Sequence, residues 1–126
     1  MSRKQLLIVD DSTLIIQRLR NLLEGLPGLG GIDNVGSYGE ALERLSAPTK
    51  PDIVLLDINL PDRNGIDLLR HIRRHHPEMI VIMLSNQGGK FYRDLCRQMG
   101  AAYYVDKSTE FQLIPTILAS LCPNSL

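Results

Sequence analysis

Two adjacent carboxylates, Asp10 and Asp11, end one apolar run, and a third, Asp57, ends another; Ser85 and Lys107 close two more. Three carboxylates brought together repel one another and raise their own pKa values unless a cation sits among them. Mg2+ suits such a set: it is hard, takes one or two carboxylates plus phosphate oxygens, and keeps several waters. The chemistry is then phosphoryl transfer, in which proteins mainly position groups and neutralise charge. Asp57 attacks as a carboxylate nucleophile and becomes an acyl phosphate. Asp10 and Asp11 hold Mg2+, Lys107 sets a compact, mobile cation against the phosphoryl oxygens, and the Ser85 hydroxyl donates to one of them. Each residue has a plainer use by itself. An Asp pair caps helices, a strand-end Asp is commonly a loop residue, Ser forms turns, and Lys is usually solvated. Their coincidence is what points to a single site.

Short apolar runs, Leu6 to Val9, Ile53 to Leu56, Ile80 to Leu84 and Ala101 to Val105, alternate with helical patterns, and a weaker run lies around Ile32 to Val35. Several lack polar alternation, as in parallel strands covered on both faces. Ile15, Ile16, Leu19, Leu22, Leu23 and Leu26 recur at helical spacing until Gly25 and Pro27-Gly28. Ser37 and Glu40 have the spacing of a capping box that starts a second helix. Ile66, Leu69 and Ile72 mark a third, closed by Pro77; a fourth runs from about Phe91 to Met99, and a fifth from about Glu110 to Leu121. This alternation predicts an α/β fold with right-handed crossovers and helices on both faces of one sheet. In such sheets function gathers at the carboxyl ends of strands. Asp10-Asp11, Asp57, Ser85 and Lys107 all fall there.

At 126 residues the chain is expected to be a single domain, residues 1–126, without a linker or repeat. Apolar residues make up 44%, which argues against disorder. Fourteen basic residues balance fourteen acidic ones, which argues against nucleic acid or an anionic membrane as partner. Met1-Ser2-Arg3-Lys4 leads into an apolar run too short for a signal peptide or span, so a soluble, cytoplasmic domain is expected.

The stretch Leu7-Ile8-Val9-Asp10-Asp11, the motif Asp57-x-x-x-Pro61-x-x-x-Gly65, Ser85 and Tyr104-x-x-Lys107 resemble the receiver domain of two-component response regulators, nearly end to end from about Leu6 to Leu121. The resemblance implies a doubly wound, flavodoxin-like, five-stranded parallel sheet of order 2-1-3-4-5. It implies phosphorylation of Asp57, with Mg2+, by a histidine kinase or histidine phosphotransfer protein. The backbone carbonyl of Asn59 would be a further Mg2+ ligand beside Asp10, Asp11 and Asp57. Tyr104 would be an aromatic switch that turns inward when Ser85 moves toward phosphate. Helix one would form part of the kinase dock, and helix four, strand five and helix five would present the output surface to a target protein. Such a domain is a signalling element, not an enzyme on other substrates. It would serve as a phosphate shuttle or target-docking protein, or as one part of a longer regulator.

The sequence departs from that pattern in places. Asn86 stands where the family commonly has Ala or Gly, and is expected to slow access of small phosphodonors. Ser108 replaces the usual cis-proline after Lys107. A non-proline cis bond costs about 2.5–4 kcal/mol, so a trans peptide is expected, with Ser108 or Thr109 capping the last helix. Pro115 implies that this helix starts late or bends. Asn59 and Gln87 occupy positions that tune acyl-phosphate lifetime in the family. Gly88-Gly89 imply either a mobile loop or a turn needing positive φ.

Other features carry less. His71 and His75 have metal-binding spacing on a helix but no supporting ligand, and Arg73, Arg74, His75 and His76 suit a helix C-terminus. Cys96 is expected against the sheet and Cys122 near a loose C-terminus. Two other phosphate chemistries fit less well. A haloacid-dehalogenase-type phosphatase needs an acid two residues beyond its nucleophile, where this chain has Asn59; a nucleotide binder needs a Gly-rich loop after strand one. A phosphorylation-independent interaction domain typically lacks one of the acceptor, acidic pair or Lys, and all three are present.

Overall fold

Parallel strands alternate with helices along the whole described chain. The structure, a computed structural model, describes residues 3–86 and 89–123. The order is β1 (Lys4–Val9), α1 (Thr13–Leu23), β2 (Leu29–Val35), α2 (Tyr38–Leu45), β3 (Ile53–Asp57), α3 (Gly65–His75), β4 (Ile80–Ser85), α4 (Lys90–Gln98), β5 (Tyr103–Asp106), a 3-10 turn (Phe111–Leu113) and α5 (Ile114–Leu121). The five strands form one parallel sheet of order β2-β1-β3-β4-β5, the doubly wound arrangement expected.

Side-chain alternation along each strand divides the core in two. Leu7, Val9, Val54, Leu56, Val81, Met83 and Tyr104 face α2, α3 and α4. Leu6, Ile8, Ile53, Leu55, Ile82, Leu84 and Val105 face α1 and α5. Both faces of β3 are fully covered, which is why its sequence shows no polar alternation. Each buried Leu or Ile contributes about 1.5–3 kcal/mol, so this double burial holds β3 at the centre of the sheet, with Asp57 at its carboxyl edge. The edge strand β2 gave the weakest signal. Gly30 and Gly31 accommodate the Gln5 side chain, which accepts the Gly31 N–H at 2.9 Å, and Asp33 is exposed.

Local chemistry sets the helix starts. Ser12 caps α1 by accepting the Ile15 N–H at 3.3 Å. Ser37 caps α2 by accepting the Glu40 N–H at 3.1 Å, while the Glu40 carboxylate reaches back to the Gly36 N–H at 2.8 Å. The expected box thus closes one residue early. Pro115 lies in the first turn of α5, where a missing N–H does no harm, so that helix starts late rather than bending. Ser108 and Thr109 do not cap it, and α5 has no side-chain cap. Their N–H groups instead donate to the Asp106 carboxylate at 2.8 and 3.3 Å, and the Ser108 hydroxyl does so at 2.6 Å. No described peptide bond is cis. Gly89 has φ +121°, the positive-φ turn, whereas Gln87 and Gly88 lie outside the described residues. Cys122 is not loose: it is 2% exposed in the α1–α5 half of the core. No described helix is long and apolar enough to cross a membrane.

Candidate functional site

Asp10, Asp57, Ser85 and Lys107 are the buried polar or charged residues among those described, and all four lie at the carboxyl edge of the sheet. Asp57 is the last residue of the central strand, in register with Leu84 of β4, and Ser85 is in register with Asp106 of β5. Pairing alone therefore brings the carboxylate, the hydroxyl and the β5–α5 loop together. The Lys107 N–H donates to the Ser85 carbonyl at 2.8 Å, which holds that loop against β4.

The Lys107 ammonium lies 2.5 Å from Asp10 Oδ2 and 3.4 Å from Asp57 Oδ1. Asp10 Oδ1 accepts the Ser12 N–H at 2.9 Å, and Asp57 Oδ1 accepts the Asn59 N–H at 3.2 Å. The acidic pair is thus not the helix cap, a role that Ser12 fills. One carboxylate oxygen from each of Asp10, Asp11 and Asp57 lies within 4.8 Å of the others. Burial pushes the Asp57 carboxyl above the ordinary carboxylate range; the nearby Lys107 charge opposes this and the Asp10 charge adds to it. A single ammonium among three carboxylates leaves net negative charge, and a hard divalent cation among oxygens would balance it.

Tyr104 is 8% exposed and shares a side-chain hydrogen bond with Ser85, whereas Tyr103 is 40% exposed. Burial raises the Tyr104 phenol pKa, and the Ser85 hydrogen bond works against that rise. The Arg93 guanidinium of α4 lies 5.0 Å from the Tyr104 ring centre, donates to the Tyr104 carbonyl at 3.0 Å and pairs with Glu110 at 2.7 Å. Glu110 also accepts the Asp106 N–H at 3.0 Å. This clasp ties α4, β5 and the start of the 3-10 turn. Arg93 and Glu110 are far apart in sequence, and no spacing rule signals them. Asn59 and Asn86 are exposed, and Gln87 is outside the described residues.

Gly65 has a role that motif matching does not explain. A Cβ there would sit 2.0 Å from the Asp57 carbonyl oxygen, and the Gly65 N–H donates to the Ile58 carbonyl at 2.6 Å. The start of α3 is pressed onto the backbone that carries Asp57. On the other side of that loop, the Asp62 carboxylate accepts the Tyr38 and Gly39 N–H groups at 2.8 and 3.0 Å and so holds the start of α2.

The profile of the response regulator receiver domain matches residues 6–119. The chain belongs to that family. Accepting a phosphoryl group in two-component signalling is the family's role. Among relatives, this receiver domain is similar to a protein-glutamate methylesterase/protein-glutamine glutaminase of Treponema denticola, 32% identical over 82% of the chain and 28% of the relative. It is also similar to the DNA-binding transcriptional activator EvgA of Escherichia coli K12, 35% identical over 80% of the chain and 48% of the relative. The receiver domain thus corresponds to less than half the length of either relative. Its fold superposes on the Mn2+-bound form of response regulator Rcp1 with a TM-score of 0.83, at 18% identity over 98% of the chain and 97% of that structure.

Proposed function

We propose that Asp57 is the phosphoryl acceptor of this receiver domain, and that Asp10, Asp11, the Asp57 carboxylate and the Asn59 backbone carbonyl hold Mg2+. The observation that carries this is the convergence of three carboxylate oxygens within 4.8 Å beside a single buried ammonium. The donor set is all hard oxygen, which suits Mg2+; the Mn2+ in Rcp1 is consistent with the same kind of site. Bound Mg2+ would neutralise charge on the phosphoryl oxygens.

The protein's own groups do the rest. A carboxylate oxygen of Asp57 forms a bond to phosphorus as the bond to the donor nitrogen or oxygen breaks, and the leaving group departs with the electron pair. The donor is a histidine kinase or histidine phosphotransfer protein. Lys107 lies between Asp10 and Asp57 and shifts its ammonium toward the new phosphoryl oxygens. Ser85 donates its hydroxyl to one of them and gives up its bond to Tyr104. Tyr104 is already inward under Arg93, so the inward turn expected on phosphorylation is already made, and the loss of its Ser85 bond instead passes the exchange to the α4–β5–α5 face, where a target protein docks.

Intact mass after incubation with acetyl phosphate tests this reading. One phosphoryl group is expected on the wild type with Mg2+, and none after chelation or in Asp57→Asn. Modification of Asp57→Asn to the same extent would disprove the assignment. Asn86, exposed directly after Ser85, is expected to obstruct small donors. Asn86→Ala should therefore be phosphorylated about two- to tenfold faster by acetyl phosphate, a gain of roughly 0.4–1.4 kcal/mol in the barrier; an unchanged rate would show that Asn86 is no obstacle.

A further inference from the structure

Outside the acidic pocket, a stripe carrying three arginines runs along α3 toward α2. Asp67, Arg70, His71, Arg74 and His75 recur at three- and four-residue spacing, which places them on one side of α3, and Arg63 lies in the turn just before that helix. With the Tyr38 ring they line a cavity of about 170 Å3. Arg63 is held in place, its guanidinium 4.7 Å from the Tyr38 ring centre. Asp67 is the one carboxylate lining the cavity, and it is shared between Arg63 at 3.3 Å and Arg70 at 3.0 Å. Arg74 makes no ion pair among the described residues. Arg73 is not part of the stripe, because it donates to the Pro77 and Met79 carbonyls. Positive charge thus outweighs negative here, in a chain whose total charge is balanced.

This chemistry suits an anion, not a metal. The His71 and His75 rings lie 4.5 Å apart, but the surrounding guanidinium groups repel a cation. Among the described residues no third metal-binding side chain joins the two histidines. Arginine forks pair two-pronged with carboxylates. From Asp67 to His75 the helical part of the stripe spans about 12 Å at helical rise, the length of roughly four residues of extended peptide. A nucleic-acid duplex fits less well, since its affinity grows with the number of phosphates contacted. A long polyanion would also meet the exposed carboxylates of Asp11 and Asp62 on the same small molecule.

We infer that the α2–α3 cavity is a docking site for an Asp/Glu-rich segment of a partner protein. The site uses neither Asp57 nor Lys107, so it stands independently of the phosphoryl-acceptor reading. The test is fluorescence anisotropy of the whole chain with a labelled peptide of alternating Asp and Glu, beside a Gly/Ser peptide and a DNA duplex of similar length. Saturable binding of the acidic peptide is expected at low ionic strength. The double variant Arg70→Ala/Arg74→Ala should weaken it about tenfold or more. Asp67→Asn, which frees two guanidinium groups, should tighten it severalfold, and Arg97→Ala on α4 should leave it unchanged. Absence of binding, equal weakening by Arg97→Ala, or preference for the duplex would overturn the inference. So would self-association, seen by gel filtration, that the double variant abolishes, since the occupant would then be a second copy.

Discussion

Lys107→Met should lower the stability of the metal-free protein by about 2–3 kcal/mol, because it deletes a buried cation and leaves its carboxylate partners in place. Exposed Asp11 opens one side of the pocket to water, which softens the loss relative to a fully enclosed pair. Methionine keeps the apolar stem, so the loss reports charge and not packing. The pH dependence has a definite sign. Asp57 already titrates above the ordinary carboxylate range, through burial first and then through the Asp10 charge that Lys107 opposes. A carboxyl raised on folding binds more protons in the folded state, so stability falls as pH rises from the unfolded value through the folded one. Without Lys107 that loss should be larger and should persist to higher pH. Denaturant titrations at neutral and mildly acidic pH measure it, and added Mg2+ should recover part of the deficit. A midpoint unchanged at neutral pH would show that Asp10 and Asp57 do not need the ammonium.

Gly65→Ala should destabilise the domain by about 2–4 kcal/mol, as overpacking against immobile backbone does. The added methyl would stand 2.0 Å from the Asp57 carbonyl oxygen and 2.9 Å from the Ile58 Cα, and neither atom belongs to a flexible side chain. Either α3 moves away from β3 or the end of β3 moves, and both displace the acceptor. Phosphoryl incorporation should therefore fall along with the denaturation midpoint. Gly39→Ala is the control. There the nearest atom is the Asp62 carboxylate oxygen at 3.6 Å, and Ala is the better helix former, so stability should hold or rise slightly. Equal behaviour of the two variants would mean that the contact at Gly65 relaxes without cost.

How much the sequence reveals depends on whether the physics is local. Strands β1, β3 and β4 are buried on both faces, so they stand out as apolar runs, and the residues ending them are legible as site candidates at once. Strand β2 is an edge, and its Gly30, Gly31, Asp33 and Asn34 blur the pattern. That Ser108 and Thr109 would turn onto the Asp106 carboxylate instead of capping α5 was not legible, since it depends on how the loop turns after Lys107. The closeness of Gly65 to Asp57, and the Arg93–Glu110 clasp over Tyr104, arise only when distant segments pack. Pro115 was informative because proline acts on its own turn of chain.

The division of the core gives each helical layer its own thiol. Cys96 is the buried residue of α4 on one side of the sheet and Cys122 lies just past α5 on the other, both free and both with thiols made less reactive by burial. An alkylating reagent reaches either sulfur only when its layer opens. The order in which the two are labelled therefore reads, without any introduced probe, which half of the molecule lets go of the sheet first.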